Sequence, residues 1–210
     1  MERVPTGISV LDRELGGGLP AGSIVVLIAE PASQSELFLN TFTAAHDTLY
    51  LTTVRSEEAV RDGFERSNPH IPDPTIRSVG GKAALDDASD LLSTLPEEAN
   101  LVIDSLEPLE DADPARYRRF LSELQTRMVN TGGVAILHAL KGVEADDGGR
   151  NRAMSEQVAD VVFDLRTTIT DAEIENRLAV PKFRGGAALD EPVKLKLADS
   201  VAIDTSRDIA

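Results

Sequence analysis

Three features of this chain of 210 residues predict an α/β fold, with a mainly parallel central sheet, flanking helices and a C-terminal antiparallel extension. Short, continuously apolar runs recur along most of its length, the segments between them repeat apolar residues every three or four positions, and the tail switches to short runs joined by turns. A run that is apolar throughout suits a strand covered on both faces, and strands separated by helices are connected by crossovers that leave them parallel. Strands joined by turns alone pair antiparallel.

The elements follow in chain order. After an N-terminal segment, residues 1–22, "SIVVLIA" (23–29) is the first core strand, and "SELFLNTFTAAHD" (35–47) is a helix that Ser33 or Ser35 would cap. "TLYLTT" (48–53) is the next strand, and "SEEAVRDGFERS" (56–67) is a helix with Glu57 and Glu58 complementing the dipole of its first turn. "ALDDASDLLSTL" (84–95) is helical and "NLVIDSL" (100–106) a strand. In "DPARYRRFLSELQTRMVNTG" (113–132), Asp113 and Pro114 form an N-cap and first-turn pair and Gly132 a stop. "GGVAILHAL" (132–140) and "VADVVFDLR" (158–166) complete the α/β core, residues 23–166. In the extension, residues 167–210, "AEIENRLAVPKF" (172–183), "VKLKLA" (193–198) and "VAID" (201–204) read as strands, with Pro181 marking an edge. No internal repeat or low-complexity linker divides the chain, so residues 1–210 read as one domain.

Composition narrows the function. With 41% hydrophobic residues the chain can bury a full core, yet it has no apolar run of about 18 residues and no basic segment followed by an apolar one at its start. Neither a membrane span nor a signal peptide is therefore expected, and the expected location is cytoplasmic. Without cysteine there are no disulfides, thiolate metal sites or cysteine nucleophile. The 36 Asp+Glu against 21 Lys+Arg give a formal net charge of −15, and only five of the basic residues are lysines: Lys82, Lys141, Lys182, Lys194 and Lys196. This acid-rich, lysine-poor pattern resembles proteins of salt-loving archaea, whose carboxylates keep the surface hydrated while salt screens their repulsion; an ordinary acidic protein shares part of it. Duplex nucleic acid is disfavoured as a partner, because affinity for phosphate backbones needs clustered basic residues.

Ligands of open α/β sheets sit beyond the carboxyl ends of the strands, which is where residues 29–36 fall. A phosphate loop needs G-x-x-x-x-G-K-[ST], with glycines letting backbone amides approach, lysine on the β and γ oxygens and a hydroxyl on Mg²⁺. Over "AEPASQSE" the four defining positions read Ala29, Gln34, Ser35 and Glu36, with Glu30, Pro31, Ala32 and Ser33 between them. All four are substituted.

The flanking stretches nonetheless resemble the KaiC/RadA branch of the RecA-like ATPases. "VPTGISVLDRELGGGLPAGS" (4–23) is similar to the stretch that precedes that family's first core strand, and Glu30 and Pro31 fit the form of its phosphate loop. "LVIDSLEPL" (101–109) is similar to its acidic strand motif, and "NRLAVPKFRGG" (176–186) to its R-x-L-x-V-x-K-x-R-G segment. The resemblance implies a RecA-like, P-loop-type domain whose nucleotide site has been dismantled.

It also implies roles for further positions. Val54 and Arg55 occupy the places where that family carries a Glu pair that positions the attacking water, and neither can accept the water's proton. Asp104 matches its metal-associated aspartate, although a strand-end Asp also caps turns. His138 falls at a polar sensor of phosphate state, or is a structural hydrogen-bonder. Lys182 and Arg184 correspond to groups that reach a neighbouring subunit's nucleotide, or are solvated charges on an edge strand. The expected function is that of a pseudo-ATPase: a domain without hydrolysis or tight ATP binding that acts through protein contacts in a regulatory or scaffolding role, with an active RecA-like ATPase as one candidate partner. No cofactor and no metal are called for, weak binding of Mg·ATP stays open, and so does homo- or hetero-oligomerisation. The alternatives are an ATP-binding or ATP-hydrolysing regulator with an unorthodox loop, and a recombinase-like single-strand DNA binder. The second would need basic mobile loops, and "KGVEADDGGRNR" (141–152) mixes basic with acidic residues and has no aromatic for stacking.

Overall fold

The computed structural model describes residues 2–67, 71, 74–142, 148–171, 173–198 and 201–203. The N-terminal stretch is a small unit of its own: β1 (Arg3–Val4) pairs antiparallel with β2 (Leu19–Pro20) around α1 (Ser9–Glu14). Asp12 of that helix accepts the Thr6 amide at 2.6 Å, and the Thr6 hydroxyl accepts the Ile8 amide at 3.1 Å. Gly18 has φ +115°, and a Cβ there would stand 2.5 Å from the Val4 carbonyl oxygen, so only glycine lets the chain return beside β1.

The main body alternates strand and helix: β3 (Ile24–Ala29), α2 (Ser35–Ala45), β4 (Thr48–Thr52), α3 (Glu57–Glu65), β5 (Thr75–Ser78), a 3-10 turn (Gly81–Ala83), α4 (Ala84–Ser93), β6 (Asn100–Asp104), α5 (Glu107–Glu110), α6 (Pro114–Thr131), β7 (Ala135–Leu140) and α7 (Gly148–Val158). Of these, β5, the 3-10 turn, α5 and α7 add to the elements the apolar runs predict. Then come β8 (Val161–Ile169), β9 (Ile174–Phe183), β10 (Val193–Leu197) and β11 (Val201–Ile203). Nine strands form one sheet in the order β11-β10-β9-β8-β3-β7-β6-β4-β5. From β8 to β5 every pairing is parallel, and β9, β10 and β11 add antiparallel. The expected architecture, a mostly parallel sheet with an antiparallel extension, is therefore present.

Strand alternation divides the core in two. Val25, Leu27 and Ala29 of β3 face Phe38, Leu39 and Phe42 of α2 with Val60 and Phe64 of α3, while Ile24 and Val26 belong with Leu101 and Ile103 of β6 and with Tyr117, Phe120 and Leu124 of α6. α2 and α3 thus cover one face, and α4, α6 and α7 the other.

Several local expectations hold. The Asp113 side chain accepts the Ala115 and Arg116 amides at the start of α6, and Gly132 ends that helix at φ +77°. Glu57 and Glu58 fall in the first turn of α3, and Ser56, not singled out in the sequence, caps it by accepting the Ala59 amide. Others need correction. The N-cap position of α2 is Gln34, with no side-chain capping bond, and not Ser33 or Ser35. β9 is not an edge strand: it lies between β8 and β10, and Pro181 is accommodated because the β8–β9 register shifts there, with β10 covering only residues 176–178. The stretch 141–152 is partly helical, since α7 begins at Gly148; its residues 143–147, like Ala172 and Asp204 of the expected tail strands, lie outside the described residues. At the outer border of the sheet, the Ser78 amide of β5 donates to Glu57 Oε1 at 2.8 Å. No helix among the described residues is long and apolar enough to cross a membrane.

Candidate functional site

The chain leaves β3 toward one face of the sheet, through α2, and leaves the adjacent β7 toward the other, through α7. Adjacent strands whose connections diverge in this way create a switch point at their carboxyl ends, the usual place for a ligand in an open α/β sheet. Here the two ends are tied together, the Lys141 amide donating to the Ala29 carbonyl at 2.8 Å. The loop between β3 and α2 turns tightly, with the Ser33 amide on the Glu30 carbonyl at 3.0 Å. Ser35, at the lysine position of a phosphate loop, is buried.

Both acids of this loop meet cations from other strand ends. Glu36 lies 3.4 Å from Arg55, which follows β4, and Glu30 lies 3.7 Å from Lys141, which follows β7. Lys141 has a closer partner in Asp164 of β8, at 2.6 Å. Burial raises the Asp164 carboxyl, but Lys141 and Arg166 outweigh it and hold it below the usual range. The Arg55 backbone is fixed to Thr52: its amide donates to Thr52 Oγ1 and its carbonyl accepts from that hydroxyl. Val54 beside it projects outward, 75% exposed.

Asp104 and His138 are brought together on the α2 face. His138 Nδ1 lies 2.7 Å from Asp104 Oδ1, and the Tyr50 hydroxyl donates to Asp104 Oδ2 at 2.7 Å, so one buried row crosses β4, β6 and β7. Burial pushes the Asp104 carboxyl up, yet the hydrogen bonds from His138 and Tyr50 prevail and hold it below its ordinary value; burial and then Asp104 push the Tyr50 hydroxyl well above its own. His138 Nε2 is buried without a partner among the described residues. Both oxygens of Asp104 are thus engaged inside the sheet, not in capping the next turn. Just beyond this row the Thr53 hydroxyl donates to the Ser105 carbonyl and accepts the Ser105 amide, tying the two strand ends together.

Lys182 and Arg184 lie away from this end of the sheet. Lys182 Nζ donates to the Glu156 and Gln157 carbonyls at 2.7 and 2.9 Å, and Arg184 to those of Gln157 and Val158 at 2.9 and 3.2 Å. They close the C-terminal end of α7, where free carbonyls and the negative end of the helix dipole favour cations.

A polar cluster that sequence reasoning missed sits under α7. Arg152 reaches Glu107 at 2.7 Å, Glu110 at 2.8 Å and the Leu140 carbonyl at 3.0 Å. The Ser155 hydroxyl donates to Glu110 and pairs with the Tyr117 hydroxyl, each at 2.7 Å. Burial pushes the Glu110 carboxyl up even against Arg152. The two glutamates three apart in "SLEPLE" were the available signal, but their shared cation comes from a helix more than forty residues later.

Beside the loop lies a cleft of about 400 Å³, lined by Ser33 and Gln34 and by residues of β8, β9 and β10. Thr167 and Asn176, hydrogen-bonded at 2.9 Å, stand in it, and Ile169 and Ile174 at its outer end are 74% and 67% exposed. These two isoleucines face each other across the β8–β9 hairpin tip.

Among known proteins, this chain is similar to a UPF0273 protein of the archaeon Methanopyrus kandleri, 24% identical over 217 residues that cover 89% of this chain and 85% of that protein. Residues 3–210 match the model of a family of unknown function, DUF7125. From the β1–β2 unit to the C-terminal extension, this chain belongs to the DUF7125 family.

Proposed function

We propose that this chain is a RecA/KaiC-like domain that does not hydrolyse ATP and acts through contacts with other proteins, as a regulator or scaffold. Support comes first from architecture: a parallel sheet with a loop-to-helix turn after its first strand, at a switch point, preceded by the glycine-rich unit. The observation that carries the reading is the chemistry of that turn. Ser35 is buried where a lysine would reach phosphate, Glu36 turns a carboxylate toward Arg55, and Asp104 has both oxygens bound by Tyr50 and His138. A lysine about 4 Å from a phosphate at an effective dielectric near 20 contributes roughly 4 kcal/mol before desolvation, and a carboxylate placed there opposes binding by the same arithmetic. No carboxylate stands at Val54 or Arg55 to take a proton from water.

A second reading, an ATP-binding sensor, is favoured by one observation: Arg55 and Lys141 both stand beside the loop. Titration calorimetry of Mg·ATP into the protein at low and molar KCl, with phosphate release followed in parallel, separates the two. The proposal expects no binding heat and no turnover. Turnover near one per second that disappears in Asp104→Ala would overturn it, and tight binding without turnover would favour the sensor.

A further inference from the structure

Among the described residues, four large apolar side chains are strongly exposed: Val54, Val129, Ile169 and Ile174. Three of them stand at the carboxyl end of the parallel sheet, Val54 after β4 on one side of the loop 29–36, and Ile169 with Ile174 on the other. On a surface as acidic as this one, exposed apolar side chains at one end, two of which, Ile169 and Ile174, border a cleft, mark an interaction site. The acids between them are only loosely neutralised. The Glu36 and Glu30 side chains are 61% and 48% exposed, their cations lie at 3.4 and 3.7 Å, beyond good hydrogen-bonding distance, and Lys141 is held more closely by Asp164. The cleft is lined by two acids, Glu173 and Glu175, and two lysines, Lys194 and Lys196; Glu175 lies 3.4 Å from Lys194 and 2.8 Å from Arg177.

We infer that this end of the sheet is a docking surface for a basic segment of a partner protein, one that seats an apolar side chain between Ile169, Ile174 and the loop and sets a lysine or arginine against Glu30 and Glu36. The inference rests on the protein-contact reading above and gives it a place and a partner chemistry. Charge selects the occupant. A chain of net charge −15 repels a second copy of itself, nucleic acid and anionic lipid, and draws a basic protein. The cleft, about 400 Å³, has the size of a small recognition pocket, with the Thr167–Asn176 pair to receive polar groups.

The test is selection of twelve-residue peptides from a displayed random library on the immobilised full chain, followed by titration of the selected peptides in solution. Peptides carrying Arg or Lys beside Ile, Leu or Phe are expected, with affinity falling at least tenfold in Ile169→Ser/Ile174→Ser and in Glu30→Gln/Glu36→Gln, and unchanged in Val129→Ser on α6. All of these positions are at least partly solvent-exposed, and equal melting temperatures confirm intact folds. Peptides without basic residues, or binding indifferent to both double variants, would overturn the inference. So would a concentration-dependent dimer in sedimentation that Ile169→Ser/Ile174→Ser abolishes, since the occupant would then be a second copy. Tight Mg·ATP binding in the calorimeter would remove the pseudo-ATPase reading while leaving the peptide result intact; silent calorimetry with failed peptides would remove only the surface.

Discussion

Asp104 and His138, neighbours across β6 and β7, face each other at 2.7 Å, and Tyr50 takes the remaining Asp104 oxygen at the same distance. The aspartate that a nucleotide site would leave free for a metal is here a structural acceptor. Asp104→Asn is expected to lower stability near neutral pH by about 1–3 kcal/mol, read from chemical denaturation. The folded carboxyl titrates below its unfolded value, so its contribution is complete above about pH 4 and is lost as pH falls through the folded value. The difference between wild type and Asp104→Asn should therefore narrow below pH 4. A difference that stays constant down to pH 2.5 would mean the carboxylate is not held as described.

Arg152→Met strands Glu107 and Glu110 without their cation. A loss of about 3–5 kcal/mol is expected, against about 0–1 kcal/mol for Arg116→Met, whose pair with Asp86 is exposed. Glu110 already titrates above its ordinary value, so its protonated form is favoured in the fold, and stability drops as pH rises from the unfolded value of about 4.3. The penalty of Arg152→Met should accordingly be larger at pH 7 than at pH 4.5. Equal penalties would contradict this.

Gly18→Ala should disrupt the β1–β2 ladder, because its Cβ would overlap the Val4 carbonyl, whereas Gly16 at φ +71° has nothing within 4 Å. Gly16→Ala should cost only the roughly 1–2 kcal/mol of a left-handed residue, and Gly18→Ala clearly more. Comparable melting temperatures for the two variants would show that the close approach is relieved at little cost.

Lys182→Met with Arg184→Met removes the donors from the last carbonyls of α7. A combined loss of about 1–2 kcal/mol is expected, with faster amide exchange confined to α7 and its surroundings. Unchanged exchange in α7 would show that these cations act elsewhere, and would return attention to a role at a subunit boundary.

The net charge of −15 predicts a melting temperature that rises from low to molar KCl, as salt screens the repulsion between carboxylates. Identical midpoints at the two salt concentrations would leave the surface as that of an ordinary acidic protein.

β3, β4, β6, β7 and the start of β8 were legible in the sequence because each is buried on both faces and so reads as a continuous apolar run, whereas β5, a border strand with only Ile76 buried, was not. Asp113, Pro114 and Gly132 were legible because caps are local chemistry. α7 was not: its inward face carries Asn151 and Ser155, both fully buried, so the apolar repeat that betrays a helix is interrupted by polar residues whose partners lie on α5 and α6. The candidate site was half legible. That Ser35 and Glu36 stand where a phosphate loop would need a lysine and a hydroxyl is visible in the sequence, but the pairing of Glu36 with Arg55, or of Asp104 with Tyr50 54 residues away, depends on which strands the crossovers make neighbours.

One small contact at the border of the sheet bears on how this protein behaves when crowded. An outermost strand offers its amides to any passing chain, and unprotected borders seed the stacking that ends in fibrils. In β5, Glu57 reaches across from the first turn of α3 to take the Ser78 amide and leaves a carboxylate along that border. An incoming strand would have to displace this bond and bury its charge. Glu57 thus raises the cost of strand addition at this border, without lengthening the chain or adding a helix to cover the strand.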